Sequence, residues 1–222
     1  FHVDSAVINR YKTSGISALI TRQGLALVNA YGSTGSVNAI RVAGLPADYV
    51  SVNWNGLQLN SSSLGMTDLS LIPVLFTDQI VLTERPQSNG QQDLALGNNL
   101  NLISKCSNGK WIALNQSASS LGNSTLGMVL NNGNERWSSN VRGFIQNCQN
   151  NFTYQDQLQW NKPWVEQRNN NSRSKGVMIN LGYQGKKRLT AFHAFSIFRH
   201  VNLPSPMGGL EHSSSSQYDR QL

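Results

Sequence analysis

The sequence predicts an α+β fold, in which an N-terminal amphipathic helix packs on an antiparallel sheet of hairpins that is closed by one disulfide. Three observations lead to this prediction: helical spacing of apolar residues near the N-terminus, Asn-Gly pairs between alternating segments beyond Gly35, and a single pair of cysteines. We expect four regions: an N-terminal helix at 1–31, a strand-rich globular domain at 32–150, a basic and aromatic strand-rich segment at 151–203, and a flexible tail at 204–222.

The N-terminal helix is predicted from Asp4 to Tyr31, where apolar residues recur mostly three, four or seven positions apart. Asp4 or Ser5 is placed to cap its first turn. Gly15 and Gly24 each cost about 1 kcal/mol relative to alanine in a helix interior. The helix therefore either depends on packing against a sheet or forms as two pieces.

Three Asn-Gly pairs predict hairpins, because both positions of a two-residue turn need positive φ, which asparagine and glycine tolerate best. The turn at Asn55-Gly56 pairs Trp54 with Leu57 on one face of a hairpin. Two more turns are predicted at 108–109 and 132–133. Alternation and β-branched residues predict further strands at 69–75, 79–83, 176–183 and 189–201.

The two cysteines, Cys106 and Cys148, lie 42 positions apart and form no Cys-x-x-Cys motif. This spacing is poor for a metal site and favours a disulfide, which implies an exported protein. The hairpin at 108–109 would place Cys106 opposite Trp111. The alternative is a pair of buried free thiols in a cytosolic protein. Charged residues make up only 13% of the chain, and the abundance of Asn, Ser, Gln and Gly is typical of exported and surface proteins.

The net charge of +7 is concentrated near the C-terminus, where nine basic residues and three acidic residues follow Trp160. Such a segment could contact nucleic acid, an anionic membrane or acidic glycans, and the alternative is a solvated basic face. Aromatic residues interleave with this charge, as base-stacking or sugar-stacking surfaces require, although they also suit a strand-rich core. The candidate contact residues are Trp160, Trp164, Lys186, Lys187 and Arg188.

Catalytic and metal-binding signals are absent from the sequence. His193 and His200 lie seven positions apart, which places them on opposite faces of a strand or two turns apart on a helix. No Gly-x-Ser-x-Gly elbow or phosphate-binding glycine loop occurs. We therefore predict a protein that is not an enzyme, with no metal site and no cofactor.

No apolar run approaches the roughly 18 residues that a membrane-spanning helix needs, so we expect no such span. The chain opens at Phe1 without a signal-peptide pattern, and we interpret it as a processed form or an engineered fragment.

A resemblance to a known family adds a functional expectation. The segment Leu102-Ile-Ser-Lys-Cys106-Ser-Asn-Gly-Lys-Trp111 is similar to the Cys-x-x-Gly-x-Trp hairpin of minor pilins and shufflon-type pilus-tip adhesins. The general layout of residues 4–150 resembles a type IV pilin without its hydrophobic N-terminal half-helix. The resemblance implies an extracellular or cell-surface structural or adhesive subunit of a fimbrium, with other filament subunits and host surface glycans or receptors as partners.

Two further classes of function remain open at this point. The first is a viral or phage structural or attachment protein, whose basic C-terminal part would contact nucleic acid or glycans. The second is an exported hydrolase, which would require convergent acid and base groups that the sequence does not reveal.

Overall fold

The computed structural model describes residues 1–83, 98–119, 121–150, 152–185, 188–205 and 215–221, and strands dominate these ranges. Two short helices come first, α1 at Ser5–Arg10 and α2 at Ile16–Arg22. The strands are β1 Leu27–Ala30, β2 Asn38–Arg41, β3 Val50–Trp54, β4 Leu57–Gln58, β5 Gln79–Thr83, β6 Asn98–Ile103, β7 Gly109–Ala118, β8 Ser124–Gly133, β9 Trp137–Cys148, β10 Thr153–Gln155, β11 Trp164–Glu166, β12 Ser172–Gln184, β13 Leu189–Asn202 and β14 Ser216–Gln221.

The described residues up to Lys105 form an N-terminal unit with its own core. Its main sheet has the strand order β4-β3-β6-β5, in which β3 and β6 run parallel and the other pairs antiparallel. Helix α2 buries Ile16, Leu19 and Ile20 completely in this core. Each such side chain contributes about 1.5–3 kcal/mol on burial. The unit is therefore a compact body that can pack as a whole against another surface.

The second body is a large antiparallel sheet with the strand order β14-β13-β12-β9-β8-β7. Its central strands are long, with 12 residues in β9, 13 in β12 and 14 in β13. Short connections join β8 to β9 and β12 to β13. A separate two-stranded sheet, β10 with β11, lies in the connection between β9 and β12.

The N-terminal unit packs on one face of the large sheet. The rings of Phe76 and Phe144 meet edge to face with centroids 5.6 Å apart, and Trp54 meets Phe195 at 4.7 Å. Gly127 on β8 permits a close approach, since a Cβ there would lie 3.0 Å from a methyl carbon of Leu75. Aromatic contacts and a glycine gap therefore join the two bodies into one packed structure.

The predicted fold class is wrong, because the protein is mostly β and its helices are two short pieces. Asp4 does cap α1, accepting a hydrogen bond from the backbone N–H of Ala6 at 2.6 Å. Gly24 takes a φ of 62° just after α2, and the chain then enters β1. Residues 27–30, which fit the helical spacing, pair with β2 instead. Residues 27–30 form a strand because β2 supplies hydrogen-bond partners for their backbone. The spacing of apolar residues does not reveal whether such a partner strand exists.

The hairpin predictions had mixed outcomes. The turn at 55–56 is confirmed, and Trp54 pairs with Leu57. The hairpin at 108–109 is wrong, because Leu102 lies in β6 of one sheet and Trp111 in β7 of the other. The predicted strand at 69–75 is wrong, because two 3₁₀ turns occupy 69–71 and 74–76. The strand at 79–83 is confirmed as β5.

The predicted disulfide is also wrong, because Cys106 and Cys148 are both free thiols. The Cys106 sulfur lies 3.7 Å from the backbone oxygen of Asn180, whereas Cys148 pairs with Ser172. Asn180 and Ser172 are eight residues apart on β12, which is about 27 Å in an extended strand. A disulfide needs Cα atoms within about 7 Å, so the two cysteines cannot meet.

The predicted flexible tail at 204–222 contains strand β14, which extends the large sheet at one edge. Residues 206–214 and 222 of that prediction lie outside the described residues. Pairing with β13 supplies the backbone hydrogen bonds that order this polar segment. The composition of the segment alone does not indicate this pairing.

Candidate functional site

The large sheet has two chemically different faces, because successive side chains of a strand point to opposite sides. On β9, Arg142 and Phe144 point towards the N-terminal unit and are buried, whereas Trp137 and Ile145 point away and are 62% and 56% exposed. The same alternation runs through β7, β8, β12 and β13. We call the side that contacts the N-terminal unit the inner face and the other side the outer face.

The outer face is apolar across its middle. Neighbouring strands place Leu130, Val141 and Ile179 side by side in one cross-strand row. The exposed apolar side chains of this face include Ile112, Leu114, Leu126, Met128, Ile145, Val177, Ile179, Leu181, Phe192 and Phe198. A contiguous apolar surface of this extent marks a place where a membrane or another protein makes contact.

Aromatic side chains flank this apolar band at both ends of the strands. The rings of Trp137 and Tyr183 lie 4.5 Å apart at one end. The rings of His200 and Tyr218 stack at 4.2 Å at the other end. Amphipathic rings suit a boundary between apolar and aqueous surroundings. In the part of the chain that the structure describes, neither helix has the length and apolar character needed to cross a membrane.

The inner face carries buried charge, of which Arg142 is the first example. Its Nη1 atom donates to Asp78 Oδ1 at 3.0 Å and to the backbone oxygen of Leu75 at 2.9 Å, while Nη2 donates to Asp78 Oδ2. Lys12 Nζ lies 3.2 Å from the same carboxylate. A guanidinium that is 2% exposed needs such a partner, so this cluster fixes the N-terminal unit to the sheet.

The environment of Asp78 keeps it ionised. Burial alone would raise the pKa of Asp78, but hydrogen bonds and positive charge from Arg142, with the charge of Lys12, outweigh burial and leave the pKa below its usual value. Burial lowers the pKa of Lys12, and the negative charge of Asp78 opposes that change. Asp78 is therefore the anion around which two cations are arranged at neutral pH.

A second buried guanidinium, that of Arg199, joins the other side of the interface. Its Nη2 atom donates to Asp68 Oδ2 at 2.8 Å and to Asp219 Oδ2 at 2.7 Å, and its Nη1 atom donates to the hydroxyl of Ser70. Asp68 and Ser70 belong to the N-terminal unit, whereas Asp219 lies on β14. Two arginine clusters therefore hold the unit at separate points.

A third polar contact surrounds His193. Its Nδ1 atom lies 3.1 Å from Asn55 Nδ2 and 2.8 Å from Asn180 Oδ1. The ring of Trp54 meets the His193 ring edge to face, with centroids 5.9 Å apart. His193 therefore contributes to the contact between the N-terminal unit and the large sheet.

A polar cavity of about 550 Å³ opens beside the Arg142 cluster, between the N-terminal unit and the large sheet. Its lining includes Asn9, Lys12, Asp78, Lys105 and Trp111. Its size is that of a small-molecule pocket, and its lining combines apolar surface with several charged and polar side chains. No grouping of three or more His, Cys, Asp or Glu side chains that could hold a metal ion occurs within the described ranges.

The structure does not bring the predicted contact residues together. Trp160 is fully exposed in the connection between β10 and β11, and Trp164 begins β11. Both tryptophans come before the first residue of β12, whereas Arg188 follows its last residue, 13 positions along the strand. Lys186 and Lys187 lie outside the described residues.

The sequence reasoning missed Arg142, Arg199 and the outer face as a whole. A partial signal was present in the stretch Val141-Arg142-Gly143-Phe144-Ile145, where Val141 and Ile145 share one face and Arg142 lies on the other, although Phe144 joins Arg142 there. Each strand shows this pattern weakly, and the apolar residues are the exposed ones, which reverses the usual assignment of the apolar side to the core.

Comparisons with known proteins show which solved structures have a similar fold. No protein-family model matches the chain, and no curated protein matches it either. Among solved structures, the chain is similar to the copper transporter OprC, with a TM-score of 0.61 and 14% identity over 80% of this chain and 26% of that one. It is also similar to the siderophore receptor PirA from Acinetobacter baumannii, with a TM-score of 0.62 and 13% identity over 90% of this chain and 31% of that one.

A third similar structure is the ferripyoverdine receptor of the outer membrane of Pseudomonas aeruginosa, with a TM-score of 0.56 and 12% identity over 79% of this chain and 22% of that one. The chain therefore spans about a quarter of the length of these solved structures. At such low identity the likeness shows the fold alone.

These findings overturn the resemblance to a type IV pilin. The similar structures are transporters and receptors, and neither a pilin nor a phage attachment protein is among those described above. The expected fimbrial, adhesive role is wrong, and so is the expectation of filament subunits as partners, because the similar structures are a copper transporter, a siderophore receptor and a ferripyoverdine receptor. The ten residues that carried the resemblance cross from β6 into β7 and form no hairpin. The expectation of an exported protein at the cell surface agrees with the outer-membrane location of the similar ferripyoverdine receptor.

Proposed function

We propose that the chain forms part of an outer-membrane receptor that imports a metal ion or a metal chelate. In this proposal the large sheet is a membrane-spanning part of the receptor wall, and the N-terminal unit lies inside the wall on the inner face. The observation that carries the proposal is the outer face, where apolar side chains are exposed while arginine and asparagine are buried on the other side. This arrangement is the reverse of a water-soluble sheet and suits a surface in contact with lipid.

The dimensions of the outer face support this placement. From Trp137 to Asn147, β9 advances ten residues, which is about 34 Å at about 3.4 Å per residue. A strand tilted by about 40° would rise about 26 Å over that length, close to the apolar band of about 25 Å in transmembrane strands. Aromatic residues at both ends match the rings that border such a band.

The two edge strands of the large sheet need further strands as partners if the sheet lies in a membrane. Within the described residues, β7 and β14 each pair on one side only. Hydrocarbon cannot satisfy unpaired backbone groups, so each edge needs a further strand in the membrane. The partial coverage of the similar structures is consistent with a wall to which more strands contribute.

The kind of substrate is proposed from the similar structures, which are a copper transporter, a siderophore receptor and a ferripyoverdine receptor. The polar cavity beside the Arg142 cluster supplies a water-compatible region between the unit and the wall. Import would require the unit to shift or loosen at these polar contacts, since they occupy the inner face.

Spin labelling of neighbouring residues tests the membrane placement. In a variant that lacks both cysteines, Ile145→Cys and Gln146→Cys would each be labelled in the protein expressed from its complete gene and reconstituted in lipid. Ile145 lies on the outer face and Gln146 on the inner face, one residue apart. We expect the label at 145 to be accessible to oxygen and shielded from a polar nickel chelate, with the opposite bias at 146. Equal accessibility at both positions refutes the placement.

An uptake assay tests the transport role. Cells that lack the gene should lose accumulation of one radiolabelled substrate among copper, a ferric catecholate siderophore and ferripyoverdine, and the intact gene should restore it. Unchanged accumulation of every probe would refute metal import while leaving the membrane placement standing.

A further inference from the structure

We propose that the outer face carries a binding site for the phosphate group of an anionic lipid, formed by Arg173, Lys175 and Arg220. The inference rests on the proposed membrane placement of the large sheet. It concerns the lipid around the protein and is separate from the imported substrate.

The three basic side chains converge across neighbouring strands. Lys175 on β12 pairs with Phe198 on β13, which pairs with Arg220 on β14, so these three form one cross-strand row. Strands lie about 4.8 Å apart, which puts the Cα atoms of Lys175 and Arg220 about 10 Å apart. The Arg220 guanidinium lies over the Phe198 ring at 5.2 Å. Arg173 stands in the next row, beside the stacked rings of His200 and Tyr218.

No carboxylate neutralises this group from the outer face. Asp219, the acid nearest in sequence to Arg220, points to the inner face and pairs with Arg199. The salt bridges among the described residues do not include Arg173, Lys175 or Arg220, and all three side chains are exposed. The outward positions of the described strands of the large sheet carry no Asp or Glu. The site therefore presents uncompensated positive charge at the end of an apolar band.

The cavities at this position have the shape of an amphipathic ligand. The lining of one cavity of about 390 Å³ includes the three basic residues, and also Asp219, whose carboxylate is paired with Arg199. The Nε2 atom of His200 is buried there and lacks a hydrogen-bond partner within the described ranges. A second cavity of about 470 Å³ is lined almost wholly by apolar groups of the outer face. The two share Ile145, Lys175 and Phe198, so the cavity that holds the basic side chains adjoins an apolar groove.

This combination matches a lipid more closely than a soluble anion. Arginine binds phosphate oxygens in a bidentate manner and lysine adds a point charge, while the apolar groove offers contact for an acyl chain. A free phosphate ion has no apolar part that could contact the groove. A protein partner would have to cover exposed apolar side chains along the whole band, which lipid already does in the proposed placement.

The lengths of the connections indicate the leaflet. The connections at 134–136 and 185–188, near Trp137 and Tyr183, are short. At the opposite end, where the basic residues lie, the connection at 119–123 is also short, but those at 149–171 and 203–215 are much longer. In outer-membrane proteins of this architecture the short turns face the periplasm and the long loops face the exterior. The site therefore faces the outer leaflet.

Native mass spectrometry of the complete protein, released from vesicles of defined composition, tests the site. Phosphatidic acid and phosphatidylcholine with identical acyl chains are the two probes. Each basic side chain near a membrane surface contributes roughly fivefold to binding of an anionic lipid. The double variant Arg173→Gln/Lys175→Gln should therefore weaken the preference for phosphatidic acid by roughly 25-fold. The control Lys110→Gln, an exposed outward lysine on β7 near the opposite end, should leave the preference unchanged.

The outcomes separate the two proposals. If the spin label at 145 reports lipid contact and both vesicle lipids are retained equally, the lipid site is refuted and the membrane placement stands. If that label reports no lipid contact, the membrane placement itself fails. Retention of phosphatidic acid in a large excess of inorganic phosphate supports an acyl lipid as the ligand, and displacement by phosphate overturns it. An equal effect of the Lys110 control and the double variant also overturns the site.

Discussion

The buried pair of Arg142 and Asp78 offers the sharpest test of how the N-terminal unit is held. Asp78→Asn keeps the shape of the side chain and removes its charge, which leaves a guanidinium that is 2% exposed without an anionic partner. It also removes the carboxylate that Lys12 contacts at 3.2 Å and that accepts from the backbone N–H of Lys105 at 2.8 Å.

The magnitude follows from the geometry. Removing one partner of a buried ion pair costs about 3–5 kcal/mol, because the other charge stays buried and unpaired. The Asp78 side chain is 30% exposed, so water reduces this cost. The remaining acceptors of Arg142, the backbone oxygens of Leu75 and Lys105, reduce it further. We expect Asp78→Asn to lower the free energy of unfolding of the N-terminal unit by about 2–3 kcal/mol.

Urea titration followed by tryptophan fluorescence measures this change, because Trp54 is buried at the interface against Phe195. The exposed acid Asp48 lies in the same unit and forms no salt bridge among the described residues, so Asp48→Asn is the matched control and should change stability by less than about 0.5 kcal/mol. A loss for Asp78→Asn no larger than that of the control would refute the role of the pair.

The same pair predicts a pH dependence. The folded protein lowers the pKa of Asp78, so the carboxylate stabilises the fold at pH values above the unfolded pKa of about 4. This stabilisation is lost as the pH falls from about 4 through the lower folded pKa. Stability measured against pH should therefore drop more steeply in that acidic range for the natural protein than for Asp78→Asn, and parallel curves would contradict the expected linkage.

Three further predictions concern the large sheet and the cysteines. Gly176→Ala should destabilise the fold by about 1–3 kcal/mol in thermal denaturation, since its Cβ would lie 2.6 Å from a Phe144 ring carbon, whereas Gly143→Ala, whose Cβ meets nothing closer than 3.8 Å, should have little effect. Ile179→Arg, in the middle of the outer face, should destabilise the reconstituted protein by about 2–4 kcal/mol against about 0–1 for Thr190→Arg near the end of the band, and equal costs would argue against a lipid environment. Cys106→Ser should leave the melting temperature equal under oxidising and reducing conditions, because Cys106 and Cys148 are free thiols, and a difference between the two conditions would point to a bond between them.

Several local features could be predicted from the sequence because short-range chemistry decides them. Asparagine and glycine at 55–56 both adopt positive φ, at 46° and 85°, and this alone specifies the first hairpin. Asp4 caps α1 through its own neighbouring backbone. Strands β5, β12 and β13 lie where β-branched and aromatic residues alternate with other residues. Each of these depends on contacts within a few residues.

The candidate site could not be predicted in the same way, because its residues meet over long separations. Arg142 reaches Asp78 across 64 positions, and Arg199 reaches Asp68 across 131. Nothing in the residues around either arginine indicates which acid it will meet. The N-terminal unit covers the face that carries both arginines together with buried apolar residues such as Phe144 and Met178.

The sequence by itself determined the turn chemistry, the alternation of the long strands and the accumulation of positive charge near the C-terminus. Only the tertiary structure decided which side of the large sheet is covered, how far apart Cys106 and Cys148 lie, and that Arg173, Lys175 and Arg220 share one end of the outer face. The physical reason is that period-two alternation assigns side chains to two faces without saying which face is buried. That choice depends on where the N-terminal unit packs, and its polar contacts select the face that carries Arg142 and Arg199.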